Sequence, residues 1–255
     1  MTFYNVTTFL AGLVNLALAI FVLIQGKGRP VTRVFSLLAL ILAVWSFGSW
    51  GLSVASSQEE AVIWAHIFFS VSFLPPTFLF LMIFITNDLR RINKVICLLS
   101  YLIALFLQFS NWTGYLFQGV TYHDFGKFYF PSAGSVFFLE GINHWSVIGY
   151  GIYLLLRKYR LTGKLIEKTR IKYIITAVSI ALLGAISNIA LLLGLKVYPL
   201  AYLTLICCMT LITYTILKHH LMEIEIVIRG CLKISNMIGE HNFPAVKISM
   251  CRLFQ

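Results

Sequence analysis

Glu140 and His144 stand four residues apart in "FFLEGINHWSVIGYGIYLLL", so on a helix they share one face. A carboxylate and an imidazole so placed can exchange a proton near neutral pH or hold a polar ligand between them. Asn143 lies beside them, and His66 occupies a second apolar stretch, "WAHIFFSVSF". His66, Glu140, Asn143 and His144 therefore form a candidate ligand- or proton-sensing layer. The alternative is that each group snorkels to an interface or makes an interhelical hydrogen bond that only orients a bundle. Two His and one Glu from two segments lack metal-ligand spacing, and the five cysteines at 97, 207, 208, 231 and 251 add no CxxC pair. Neither a metal site, a cofactor nor a disulfide framework is expected.

The segments carrying these residues belong to a membrane. The chain has 255 residues, 59% of them hydrophobic and 11% charged, with mean hydropathy +0.87. Soluble domains carry about a quarter charged residues. Taking ~20 apolar residues per crossing, spans fall at about 6–25, 34–55, 61–86, 95–112, 136–156, 171–195 and 198–217. The expected fold class is all-α, a polytopic seven-transmembrane helix bundle. The first span is too long for a signal-peptide core and has no preceding Lys or Arg, so it reads as a retained helix.

The net charge of +11 invites a nucleic-acid reading, which the placement of the charge answers. Alternate loops and the tail hold three, three, seven and five Lys or Arg, whereas the intervening loops hold only Lys127 and Lys196. Such alternation is the positive-inside pattern and puts the amino terminus outside and the carboxyl terminus in the cytoplasm. Basic residues spread over four loops, with no binding module beside them, leave no nucleic-acid partner expected.

Pro75 and Pro76 fall in the middle of the third span, where missing N–H donors break or kink a helix, and form a candidate hinge. The external segment 113–135 is aromatic and Gly-rich. It reads first as a belt anchoring helix ends and alternatively as a lid over a pocket. At the cytoplasmic exit, Leu217, Leu221, Ile224 and Ile228 follow 4-3-4 spacing, an apolar seam for an output helix, although Glu223 to Ile226 alternate as a strand would. The seventh span lacks the interior lysine a retinal Schiff base needs, and the chain contains no P-loop, HExxH, GxSxG or visible repeat.

Several phrases taken in order carry a resemblance: "GRPVTRVFSLLALILAVWSFG" (28–48), "WAHIFFSVSFLPPTFLFLMIFI" (64–85), "GYGIYLLLRKYRLTGKLIEKTRIKYII" (149–175), "GAISNIALLLGLKVYPLAYL" (184–203) and "TYTILKHHLMEIEIVIRG" (213–230). Together they resemble the amino-terminal seven-transmembrane sensor region of bacterial membrane histidine kinases. The resemblance implies residues 1–217 as the sensor region, 218–230 as a cytoplasmic connector helix and 231–255 as a tail without family character. It implies a bacterial plasma-membrane location, an unknown small-molecule or physical signal, and a homodimer in the lipid bilayer. The kinases' phosphoacceptor helix and ATP-binding boxes have no counterpart here, so this chain is expected to lack enzymatic activity and to stop before any catalytic domain. A small carrier or channel subunit using Glu140, His144 and His66 is the alternative, and a remnant with only a structural role is a third reading.

Overall fold

The computed structural model describes residues 2–26, 29–124, 126–192, 195, 197–216 and 218. Helices dominate, which is how a chain in lipid satisfies its backbone donors and acceptors. The elements are α1 (Phe3–Gln25), α2 (Pro30–Val54), α3 (Gln58–Phe68), a 3-10 segment (Phe69–Phe73), α4 (Leu74–Thr86) and α5 (Arg91–Trp112). A hairpin of β1 (Phe117–His123) and β2 (Phe128–Ala133) follows, then α6 (Phe137–Leu161) and α7 (Leu165–Leu192). The last, α8, is the shorter apolar helix Ala201–Ile216. The chain divides at residue 214 into two compact units, and the second is described only at residues 215, 216 and 218.

Five segments are long and apolar enough to cross a membrane: Phe3–Gln25, Pro30–Val54, Gln58–Thr86, Arg91–Trp112 and Leu165–Asn188. The chain is thus an all-α, multi-pass membrane bundle. α6 has 25 residues but is not among the five, because Glu140, Asn143 and His144 near one end and Arg157, Lys158 and Arg160 near the other dilute its apolar character.

Local chemistry fixes the helix ends. The Thr2 hydroxyl accepts the Asn5 N–H at 3.4 Å at the start of α1, and Pro30 occupies the first turn of α2, where no donor is missed. At α3 the Ser57 hydroxyl accepts the Glu60 N–H at 3.2 Å, while the Glu60 carboxylate accepts the Ser56 N–H and hydroxyl at 2.9 and 2.8 Å. That reciprocal arrangement is a variant of the capping box, displaced by one residue. α4 stops at Asn87, whose φ of 53° is left-handed.

Two glycines permit close helix contacts. A Cβ on Gly48 of α2 would lie 2.6 Å from the Phe68 backbone nitrogen, and one on Gly184 of α7 would lie 2.9 Å from the Ala201 Cα of α8. Small residues at crossing points let membrane helices approach closely enough for dispersion contacts to hold them, since lipid supplies little hydrophobic drive. Leu79, Ile83, Cys97, Val147 and Leu154 form the buried cluster joining α4, α5 and α6.

The third span contains a break, but it lies just before the prolines. Phe69–Phe73 is 3-10, and Pro75 and Pro76 sit in the first turn of α4, where their missing N–H groups cost little. Side chains serve the carbonyls around the break. Gln108 Nε2 donates to the Phe69 carbonyl at 2.6 Å, Asn111 Nδ2 to the His66 carbonyl at 3.0 Å, and the Thr77 hydroxyl to the Phe73 carbonyl at 2.7 Å.

Segment 113–135 holds regular structure. β1 and β2 pair antiparallel, with Val120 opposite Pro131 and Tyr122 opposite Tyr129, and the register shifts between Phe117 and Gly119, where φ is 143°. The inner face packs against the bundle through rings. Phe117 stacks on Phe69 at 5.4 Å between centroids, Phe130 meets Phe68 at 5.7 Å, and Phe128 meets Tyr4 at 4.5 Å.

Candidate functional site

α6 presents Phe137, Glu140, Gly141, His144, Trp145 and Ile148 to one cavity. Their 3-1-3-1-3 spacing is a single helical face. The opposite walls come from Leu38, Leu42 and Trp45 of α2, from Phe68, the 3-10 segment and the start of α4, and from apolar positions of α7 and α8. The space measures about 220 Å³, and none of its lining residues is Lys or Arg.

Inside this apolar wall Glu140 is buried, at 5% exposure, and neither carboxyl oxygen has a hydrogen-bond partner. Its titratable partner is His144, whose Nδ1 stands 3.8 Å from Glu140 Oε1. That separation allows charge attraction but not a hydrogen bond. Two more polar atoms of lining residues lack partners, Trp45 Nε1 and Asn188 Oδ1. Buried polar groups are nearly always bonded, so these atoms leave the cavity wall with unused hydrogen-bonding capacity.

The four residues expected in one layer are divided by the structure. Glu140 and His144 meet at the cavity. Asn143, one residue before His144 and so about 100° away around the helix, faces α5 and accepts the Ser100 hydroxyl hydrogen at 2.9 Å. His66 lies outside the lining, sandwiched in aromatic contacts: its ring stacks on Trp112 at 4.6 Å with planes 3° apart and meets Phe117 edge-on at 5.0 Å. Its Nδ1 is 3.2 Å from Asn111 Oδ1. The 3-10 segment adjoins the cavity through Phe69 and Val71, while Pro75 and Pro76 are buried at the start of α4 without lining it. Leu217, Leu221, Ile224 and Ile228 lie outside the described residues.

Trp45 went unremarked in the sequence although a signal existed. Leu38, Leu42 and Trp45 repeat at i, i+4 and i+7 on α2, and an indole N–H in such a stripe needs a partner when buried. Asn188 is likewise a polar residue within an apolar run, and nothing in the sequence joins it to Glu140.

At the end of the bundle where α4 and α6 terminate, Asp88 accepts from Arg90 Nε at 2.7 Å and from Arg157 Nη1 at 3.3 Å. The Arg90 hydrogen bond, aided by its charge, holds the Asp88 carboxyl below its ordinary range against partial burial. Lys158 pairs with Glu167 at 3.1 Å, tying the end of α6 to the start of α7. Among the described residues, no group of three His, Cys, Asp or Glu side chains is placed to hold a metal ion.

Comparison with known proteins gives one family. Residues 7–225 match the model of the N-terminal 7TM region of histidine kinase. No curated protein and no solved structure matches the chain. The match spans most of the sequence and agrees with a multi-pass helical bundle; the chain belongs to the family of N-terminal seven-transmembrane sensor regions of histidine kinases.

Proposed function

We propose that this sensor region receives a small-molecule signal in the cavity beside Glu140 and His144 and relays it as a change in helix packing around the 3-10 segment and Pro75/Pro76. The observation that carries the reading is the Glu140 carboxylate, buried and without a hydrogen-bond partner at the wall of a cavity of about 220 Å³. Apolar packing alone gives no reason for a carboxylate there, because intramembrane ionisable groups are costly and usually functional. α6 and α8 complete seven crossings. The charge asymmetry, eighteen Lys or Arg against two, supports an amino terminus outside the membrane, and the resemblance supports a bacterial plasma membrane. α8 lines the cavity through Leu205, Met209 and Ile212 and leads in sequence to the 218–230 connector, which carries the signal inward within a homodimer.

The test fuses the chain after residue 230 to a reporter kinase domain and scans candidate ligands and pH. Output should respond in the native chain and lose its response in Ala185→Phe, which fills the cavity. Output that never changes while expression and membrane insertion stay intact overturns the sensor reading.

A further inference from the structure

We propose that the ligand of this cavity is a compact lipophilic ammonium compound, with its cationic nitrogen against the Glu140 carboxylate and its apolar body among aromatic rings. The inference rests on reading the cavity as the input site. Three observations converge on it. Both Glu140 oxygens lack hydrogen-bond partners at 5% exposure, so the site offers unused acceptors of negative character. No lysine or arginine lines the cavity, and His144 Nδ1, at 3.8 Å, is too distant for a hydrogen bond, so both Glu140 oxygens stay open to a donor on a guest. Trp45, Phe68, Phe69, Phe78, Phe137 and Trp145 all line the space.

A carboxylate in an apolar wall is unfavourable until a cation compensates it. Aromatic faces attract an ammonium through their quadrupoles, and the attraction grows as water is excluded. One acidic group among six aromatic residues therefore selects for a protonated or quaternary amine. An anion would meet the field of Glu140, and a purely apolar guest would leave its oxygens unserved. The free Trp45 Nε1 hydrogen can donate to one acceptor on the guest, and the free Asn188 Oδ1 can accept from one donor. At about 220 Å³ the space is smaller than the roughly 300–1,000 Å³ of pockets for drug-sized ligands, so the guest is compact.

The experiment uses the full chain in lipid nanodiscs at pH 7, with phenethylamine, phenethyl alcohol and 3-phenylpropionate as probes and empty discs correcting for partition into lipid. Equilibrium dialysis should show saturable binding of phenethylamine near one per chain, at least tenfold tighter than the alcohol, with no saturable binding of the carboxylate. Glu140→Gln should weaken the amine at least tenfold and leave the alcohol unchanged. The comparison of amine with alcohol on the native chain needs no variant, so misfolding of Glu140→Gln leaves the test decisive. Equal binding of amine and alcohol overturns the ammonium class while leaving the input-site reading standing. Absence of saturable amine binding also overturns it, and the input-site reading falls with it if Ala185→Phe leaves the reporter response intact.

Discussion

Gln108 of α5 donates its side-chain amide to the Phe69 carbonyl at 2.6 Å, gripping the first residue of the 3-10 segment from a neighbouring helix. The same carbonyl accepts the Ser72 hydroxyl at 3.0 Å, so it keeps one partner when the other is removed. Gln108→Leu should therefore cost about 1 kcal/mol, the net value of one hydrogen bond. Adding Asn111→Leu, which strips the His66 carbonyl of its side-chain donor, should raise the loss to about 2 kcal/mol. Thermal unfolding in one detergent checks both, and a double variant as stable as the native chain would show that the break does not depend on α5.

Replacing Glu140 should make the empty protein more stable. A buried carboxylate without hydrogen bonds is a standing penalty, and Glu140→Leu should remove about 1–3 kcal/mol of it. The same variant should abolish the reporter response, separating stability from function. A lower unfolding temperature for Glu140→Leu would mean that a bound group satisfies the carboxylate in the resting protein.

The glycines divide into two classes that substitution can tell apart. Gly48→Ala places a methyl group 2.6 Å from the Phe68 backbone nitrogen and must push α2 and α3 apart, costing about 1–3 kcal/mol. Gly149→Ala meets nothing within 4 Å and should be neutral or stabilising by up to about 1 kcal/mol through helix propensity. Denaturation of the two variants side by side reads the difference directly.

Asp88 sets an acid limit on the clamp between the 87–90 turn and α6. Its carboxyl lies below the ordinary range because Arg90 bonds its ionised form. The resulting stabilisation is complete above the unfolded value of about 3.9 and disappears as pH falls through the lower folded value. Asp88→Asn should cost about 0.2–1 kcal/mol at pH 7, because the pair is solvent-screened. Native and variant stabilities should converge once pH has fallen through the lowered folded value, where both side chains are neutral; a gap that persists there would assign the effect to packing.

The Glu140–His144 pair was legible because an i, i+4 relation on a helix depends only on helical geometry. The position of His66 was not. It depends on the 3-10 segment that follows α3 and on Trp112 and Asn111, which arrive from another helix some 45 residues later. The bundle itself could be read from runs of apolar residues, whereas the hairpin escaped notice. β1 has a register shift at Gly119 that interrupts its alternation, and β2 offers only Phe128 and Phe130 as an inward pair before Pro131. The break beside Pro75 and Pro76 was foreseeable from the missing donors, but its shift into residues 69–73 follows from the tolerance of a helix's first turn for proline.

The five residues of the 3-10 segment also act as a screw thread within the third span. A 3-10 turn rises about 2.0 Å per residue against 1.5 Å in an α-helix and turns about 120° against 100°. Winding those five residues into α geometry would shorten the span by about 2.5 Å and swing α4 through about 100° relative to α3. Phe69, whose ring faces both the cavity and the hairpin and whose carbonyl is held by Gln108, sits at the first thread. Local rewinding there would convert a change at one aromatic ring into rotation of an entire half-helix.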